Sequence, residues 1–385
     1  MALDTVGILE KLIAFDTVSA RSNLALIRWI GDYLSEFGVA VEIVPAPDGQ
    51  PKANLWATIG PKRDGGIVLS GHTDVVPVAG QPWSSDPFVL RDDGSRFYGR
   101  GTSDMKGFIA LCLALVPEML AKPLTTPLHF AFSYDEELGC LGAPHLLAAI
   151  GERLPKPRLA IIGEPTGMKL GVRHKGVYSF QTEITGRDGH SSQPERGLNA
   201  IVLASEVIGE IARIYGDIRA NGPFDRAFDP AHCSLNIGSI EGGTAVNIIA
   251  RQCRFLWDFR VVPGGHPDQV LKPLAAFAER RLVQLRRHIP EADIVTTPRV
   301  SAPPLVEEHE GAAEALLKHL TGANETVSLP FATEAGQFQQ AGMSAIVCGP
   351  GYIAQAHQPD EYIDKDQLLA GESLLRHLIA WARQN

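Results

Sequence analysis

The chain has 385 residues, of which 45% are hydrophobic and 21% charged, and a formal charge of -9. That length exceeds what a single hydrophobic core usually serves, so two domains are expected, and the acidic balance argues against a nucleic-acid binder, which would carry a basic patch or stripe. No run of about eighteen apolar residues occurs, so no membrane span is expected, and the five scattered cysteines, none in a C-x-x-C pair, read as reduced core thiols of a cytoplasmic protein.

At the start of the chain Val6, Leu9 and Ile13 recur at helical spacing within residues 4–15, without the basic start and continuous apolar stretch of a signal peptide. Residues 22–37 repeat the amphipathic pattern, 39–44 alternate as a strand, and further strands are expected at 54–58 and 67–70. The last of these opens into Gly71-His72-Thr73-Asp74-Val75-Val76-Pro77. Residues two apart in extended chain face the same way, so His72 can hold a metal ion while Asp74 orients its imidazole. Taken alone, the same two residues suit a solvated turn.

Glycines on both sides of Thr102-Ser103-Asp104-Met105-Lys106, ahead of the apolar stretch 108–120, mark a loop feeding a helix. By itself Asp104 is a helix cap. The strand at 128–133 runs into Asp135-Glu136-Glu137, three carboxylates that repel one another unless a cation collects them or solvent screens them. The strand at 158–162 ends in Gly163-Glu164-Pro165-Thr166. Successive strand ends therefore deliver His72, Asp104, Glu136 with Glu137, and Glu164. Strands alternating with helices imply an α/β layer, in which ligands bind beyond the carboxyl ends of strands. Imidazole with hard oxygen donors suits zinc, cobalt or manganese, and the lack of cysteine ligands disfavours a structural zinc cage.

From about residue 178 the pattern changes to strand 179–185, helix 198–215, strands 234–240 and 251–261, helix 268–288 and strand 292–300. This β-α-β-β-α-β series predicts a ferredoxin-like domain, 178–300, inserted between 1–177 and 301–385. His190 and Asn247 fall in its loops. Beyond it come a helix at 312–320, the Thr333-Glu334-Ala335 turn, an apolar run at 345–348, His357 in Ala356-His357-Gln358-Pro359-Asp360-Glu361-Tyr362, and a closing helix at 366–382.

With these residues in place, the chain resembles, nearly end to end, the dinuclear metallopeptidase/deacylase family. The resemblance implies a metallopeptidase-like α/β catalytic domain with an inserted lid and dimerisation domain, two divalent ions (zinc first, cobalt or manganese also suited), a homodimer, and a small N-acyl amino acid as substrate. It implies His72, Asp104, Glu137, Glu164 and His357 as metal ligands, with Asp104 shared between the ions and a cis peptide between Asp104 and Met105. Glu136 matches the general base and Asp74 the residue behind the first histidine. Arg173-His174-Lys175-Gly176, Gly189-His190-Ser191-Ser192, Thr333-Glu334-Ala335 and Gly349-Pro350-Gly351 resemble the branch that removes acetate from N-acetyl-L-ornithine. The same likeness implies that His190 reaches a partner subunit's site and that Asn247 and Arg260 meet the substrate carboxylate; read alone, these are ordinary loop and surface residues. Glu334 is a candidate wall for the substrate's cationic end. Lys175 is compatible with a desuccinylase, and the same fold also serves an aminoacylase, a dipeptidase or a non-catalytic metal- or amino-acid-binding protein. A free Glu136 beside the ligands argues against the non-catalytic reading, since binding needs no base.

Overall fold

The computed structural model describes residues 3–385. The chain divides into two compact units, one formed by Met1–His174 with Leu305–Asn385 and one by Lys175–Pro304. The sequence pattern put the limits of the insertion at 178 and 300.

In the first unit α1 (Thr5–Ile13) starts at Asp4, whose carboxylate accepts the Gly7 N–H, and buries Ile8, Leu9, Leu12 and Ile13. Then follow α2 (Leu24–Glu36), β1 (Val41–Pro45), β2 (Ala53–Ile59) and β3 (Ile67–His72). The short strands β4 (Arg91–Asp92) and β5 (Arg96–Tyr98) lead into α3 (Lys106–Ala114) and α4 (Val116–Leu120). The single helix expected over 108–120 is thus two, because Pro117 opens α4 and has no N–H with which to continue the ladder of α3. β6 (Leu128–Ser133), α5 (Ala143–Ala149), β7 (Leu159–Pro165) and β8 (Leu170–His174) complete the part before the insertion.

The inserted unit consists of β9 (Gly176–Thr185), α6 (Ala200–Asn221), β10 (Ser234–Gly242), β11 (Gln252–Val261), α7 (Asp268–Leu285) and β12 (Asp293–Ala302). Its sheet has the order β10-β11-β9-β12, every pairing antiparallel, which is the ferredoxin-like arrangement expected. Burial alternates along β9 and β11, so Phe180, Phe255, Trp257 and Phe259 pack with Leu203, Val207 and Ile211 of α6 and Val270 and Leu274 of α7. The chain returns through α8 (Ala312–Thr321), β13 (Thr326–Leu329), α9 (Ala335–Gln340), β14 (Ser344–Gly349), β15 (Tyr362–Asp364) and α10 (Lys365–Ala382).

The large sheet of the first unit has the order β1-β2-β6-β3-β7-β14-β8-β13. Its central strands β6, β3, β7 and β14 are parallel, and β3, β6 and β7 are buried along their whole length. Burial on both faces is why β3 and β7 open as apolar runs, residues 67–69 and 159–162, and why β6 is apolar but for His129 up to Phe132. Parallel pairing brings the carboxyl ends of all four to one edge, the position in which such sheets build sites. Among the described residues no helix is long and apolar enough to cross a membrane, and all five cysteines are buried and unpaired.

Candidate active site

His72 ends β3, Glu164 sits in β7 one residue before its end, and Glu136 and Glu137 lie just past β6. Glu164 is therefore inside a paired strand and not just past its end, because the strand expected to stop at 162 runs on to Pro165, which still pairs with Gly349. Asp104 arrives on the loop ahead of α3, and His357 on the loop that follows β14. Glycine makes the close packing possible: a Cβ at Gly163 would stand 2.1 Å from the ring of Phe108 in α3, so only glycine there lets this helix lie against the strand that carries Glu164. The Asp104–Met105 peptide is cis.

These elements bring six donors together. His72 Nε2 lies 2.9 Å from Asp104 Oδ1 and 3.6 Å from Glu164 Oε1. His357 Nε2 lies 3.3 Å from Asp104 Oδ2 and 3.1 Å from Glu137 Oε2. Asp104 thus turns one oxygen to each imidazole. Two ligands held about 2.0–2.1 Å from one tetrahedral ion stand about 3.3 Å apart, so the observed separations suit two ion sites with Asp104 between them. Glu137 Oε1 is buried with no hydrogen-bond partner, an orphan that a cation would satisfy. The residues present fit a pair of divalent ions.

Charge gives the same result. Burial, then the neighbouring Asp104, pushes Glu137 up to about 7. Glu164 is pushed well up by burial and then by Asp104 and Glu136, and Glu136 well up by burial and the charge of Glu137, against the opposing effect of His72. Hydrogen bonds to Asp104 and Glu137 raise His357 to about 10. Burial alone would lower His72, but its bond to Asp104 and the charge of Glu164 carry it well above its usual value. Each of these shifts runs in the direction that adds positive charge to a crowded cluster of buried acids.

Glu136 differs from the other carboxylates. Its Oε2 is 4.0 Å from His72 Nε2, while Oε1 accepts from the Cys140 thiol at 3.2 Å. It lies close enough to His72 and Glu164 for geometry by itself to admit it as a third ligand. Asp74 serves its histidine in an unexpected way: Nδ1 of His72 is 2.9 Å from the Asp74 carbonyl and 3.7 Å from its carboxylate. The carboxylate instead accepts from Ser19 Oγ at 2.7 Å and from the backbone N–H groups of Glu136 and Glu137 at 3.1 and 3.3 Å, so it holds the turn that presents both glutamates.

Several residues of the site carry no signal in the sequence. Asp135 adopts a left-handed backbone, φ 54°, which costs a non-glycine residue about 1–2 kcal/mol. It is held there by Lys52, whose ammonium is 2.6 Å from both carboxylate oxygens in a buried pair. Glu361 is buried and receives Arg100 together with three backbone N–H groups of the Asp104 loop. Arg100 lies close to Asp104 in the chain and Glu361 close to His357, but no local spacing joins residues so far apart. Glu334, expected as a wall for a cation, has a buried carboxylate that accepts the hydroxyls of Ser70 in β3, at 3.1 Å, and Ser133 at the end of β6.

The remaining candidates belong to the inserted unit. His190 and Asn247 sit side by side: His190 bridges to Ile248, the Ser191 N–H donates to the Asn247 carbonyl at 3.1 Å, and both residues are exposed. Arg260 lies at the far end of β11, its Nε 3.1 Å from Asp258 Oδ1. From Gln252 to Arg260 this strand runs about 26 Å at roughly 3.3 Å per residue, so one chain does not bring Arg260 to His190 and Asn247. Lys175 donates to the carbonyls of Pro230 and His232 at 2.7 and 3.2 Å.

An α/β sheet with imidazole and carboxylate donors gathered at its strand ends is the build of a metal-dependent hydrolase. Residues 68–381 match Peptidase family M20/M25/M40, and the chain belongs to that family. It is 36% identical to an acetylornithine deacetylase of Photorhabdus laumondii over 97% of this chain and 96% of that one. Among solved structures, the M20 family metallo-carboxypeptidase Sso-CP2 from Sulfolobus solfataricus shares the fold at a TM-score of 0.74 and 17% identity, covering 100% of both chains. The YXEP protein of Bacillus subtilis, described as a dinuclear metal binding peptidase, does so at a TM-score of 0.60 and 17% identity, covering 99% and 98%.

Proposed function

We propose that this protein removes acetate from N-acetyl-L-ornithine, giving L-ornithine, as a two-metal amide hydrolase of the cytoplasm. The observation that carries the reading is the near full-length 36% identity to an acetylornithine deacetylase, in a chain whose six donors are intact and gathered at one sheet edge. His72, Asp104 and Glu164 would hold one ion and His357, Asp104 and Glu137 the other, zinc being the first choice and cobalt or manganese accepted by the same donors. Such ions polarise an amide carbonyl and make water a nucleophile near neutral pH. Glu136 takes the proton from the attacking water and passes it to the leaving amine, so that one amide and one water become acetate and a free amine. Asp74 keeps the imidazole of His72 and the turn of Glu136 and Glu137 aligned. Arg260 grips the substrate's α-carboxylate bidentately, and Asn247 and His190 contribute polar donors, His190 at the developing oxyanion. The commitment of Lys175 to two carbonyls supports acetate over a succinyl group, whose extra carboxylate asks for an additional cation.

Metal-loaded protein should show a higher kcat/KM for N-acetyl-ornithine than for N-acetyl-methionine or N-succinyl-diaminopimelate. A tenfold lead for the succinyl substrate, about 1.4 kcal/mol of transition-state preference, would reject the acetyl assignment and leave the metal mechanism standing.

We also propose a homodimer formed through the inserted unit, with His190 and Asn247 serving the partner's site. Support comes from the length of β11 between these two residues and Arg260, and from the exposed apolar side chains Ile240 in the edge strand β10, Val246 and Ile248 in the loop that follows it, and Ile201 and Val202 at the start of α6. Mixing His190→Ala with Glu136→Ala protein should restore part of the activity that each lacks, because a heterodimer then holds one site with both residues. Proven subunit exchange without recovery would remove His190 from the partner's site.

A further inference from the structure

Glu361 follows His357 by four residues, yet its carboxylate is turned to a different loop. Oε1 accepts the backbone N–H groups of Gly101, Ser103 and Asp104 at 3.1, 2.9 and 3.1 Å. Oε2 accepts Arg100 Nη1 at 2.7 Å, and both side chains of this ion pair are 1% exposed. Arg100 Nη2 goes on to Gln81 Oε1 at 2.5 Å, and Gln81 Nε2 donates to the carbonyl of His357 at 2.8 Å. The contacts close a ring: Glu361 holds the backbone of Asp104, and through Arg100 and Gln81 it holds the backbone of His357.

We infer that Glu361 is a positioning residue for the metal centre, clamping the Asp104 loop to the His357 segment so that both oxygens of the shared carboxylate meet their ions. The inference rests on the two-ion reading and deepens it. Stability alone is a poor account of the arrangement, because a buried ion pair seldom outperforms apolar residues of the same volume. Alignment accounts for it directly: three N–H groups converging on one oxygen fix the backbone of residues 101–104, and Gln81, further along the ring, fixes His357. Because Asp104 serves both ions, losing the clamp weakens both, whereas losing Glu137 or Glu164 weakens one.

Two variants separate alignment from charge burial. Glu361→Asp keeps the charge opposite Arg100 but shortens the arm, so that it no longer reaches all four donors. Arg100→Met/Glu361→Gln removes both charges and strands no buried guanidinium. For each, metal-free protein is melted and then titrated with cobalt(II), followed by calorimetry and by the visible spectrum of the bound ion. The double variant should melt close to wild type and Glu361→Asp somewhat lower, because it leaves buried donors short of an acceptor, and both should bind both ions about tenfold or more weakly, within the 10- to 100-fold range that supporting partners of metal ligands command. Both ions bound within about threefold of wild type, or a loss confined to one of them, would overturn the role of Glu361. Wild-type protein that itself fails to take up two ions would instead reject the two-metal reading.

Discussion

Exhaustive chelation should abolish hydrolysis, and two equivalents of zinc or cobalt should restore it. The expectation follows from the donor geometry: Asp104 offers one oxygen toward His72 at 2.9 Å and the other toward His357 at 3.3 Å, and one oxygen of Glu137 is buried without a partner. Without ions the chain offers a base but no means of making water a good nucleophile at neutral pH. A bound ion can bring the pKa of water from about 16 to about 7, so a fall of more than about 10,000-fold is expected on removing both. The measurement is turnover of N-acetyl-ornithine in chelated protein, with the metal content of the same sample. Full activity in protein shown to be free of metal would end the hypothesis. High activity at one equivalent would show the second ion to be auxiliary.

Glu136→Ala should lose about 100- to 10,000-fold in kcat as the cost of removing a general base, and more if the attacking water is also misplaced, while still binding two ions. Glu137→Ala should lose one ion. The two neighbours are distinguished by their contacts: Glu137 Oε2 is 3.1 Å from His357 Nε2, whereas the nearest oxygen of Glu136 to His72 is 4.0 Å away and its other oxygen is engaged by Cys140. Because Glu136 also lies within ligand reach of His72 and Glu164, metal stoichiometry has to be measured alongside kcat. If Glu136→Ala lost an ion and Glu137→Ala kept both, the roles within the pair would be reversed.

The sequence by itself determined the local features. Largely apolar runs marked β3, β6 and β7 because parallel central strands are buried on both faces, the glycines and acids at their ends marked the loops, and the β-α-β-β-α-β series marked the inserted unit. Resemblance added the pairing of ligands and the cis bond at Asp104, neither of which any spacing implies. Tertiary structure alone decided what the carboxylates bind. The carboxylate of Asp74 holds the backbone of Glu136 and Glu137 while its carbonyl takes the ring of His72, Glu334 joins Ser70 to Ser133, and Glu361 binds a loop whose residues precede it by more than 250 positions. It also decided that His190 and Asn247 stand together while Arg260 lies at the other end of β11. Burial and periodicity follow from which face of its own strand or helix a residue occupies, and neighbours in sequence reveal that. A carboxylate's partner follows from which distant segments the sheet order brings alongside it, and nothing in the neighbouring residues records that order.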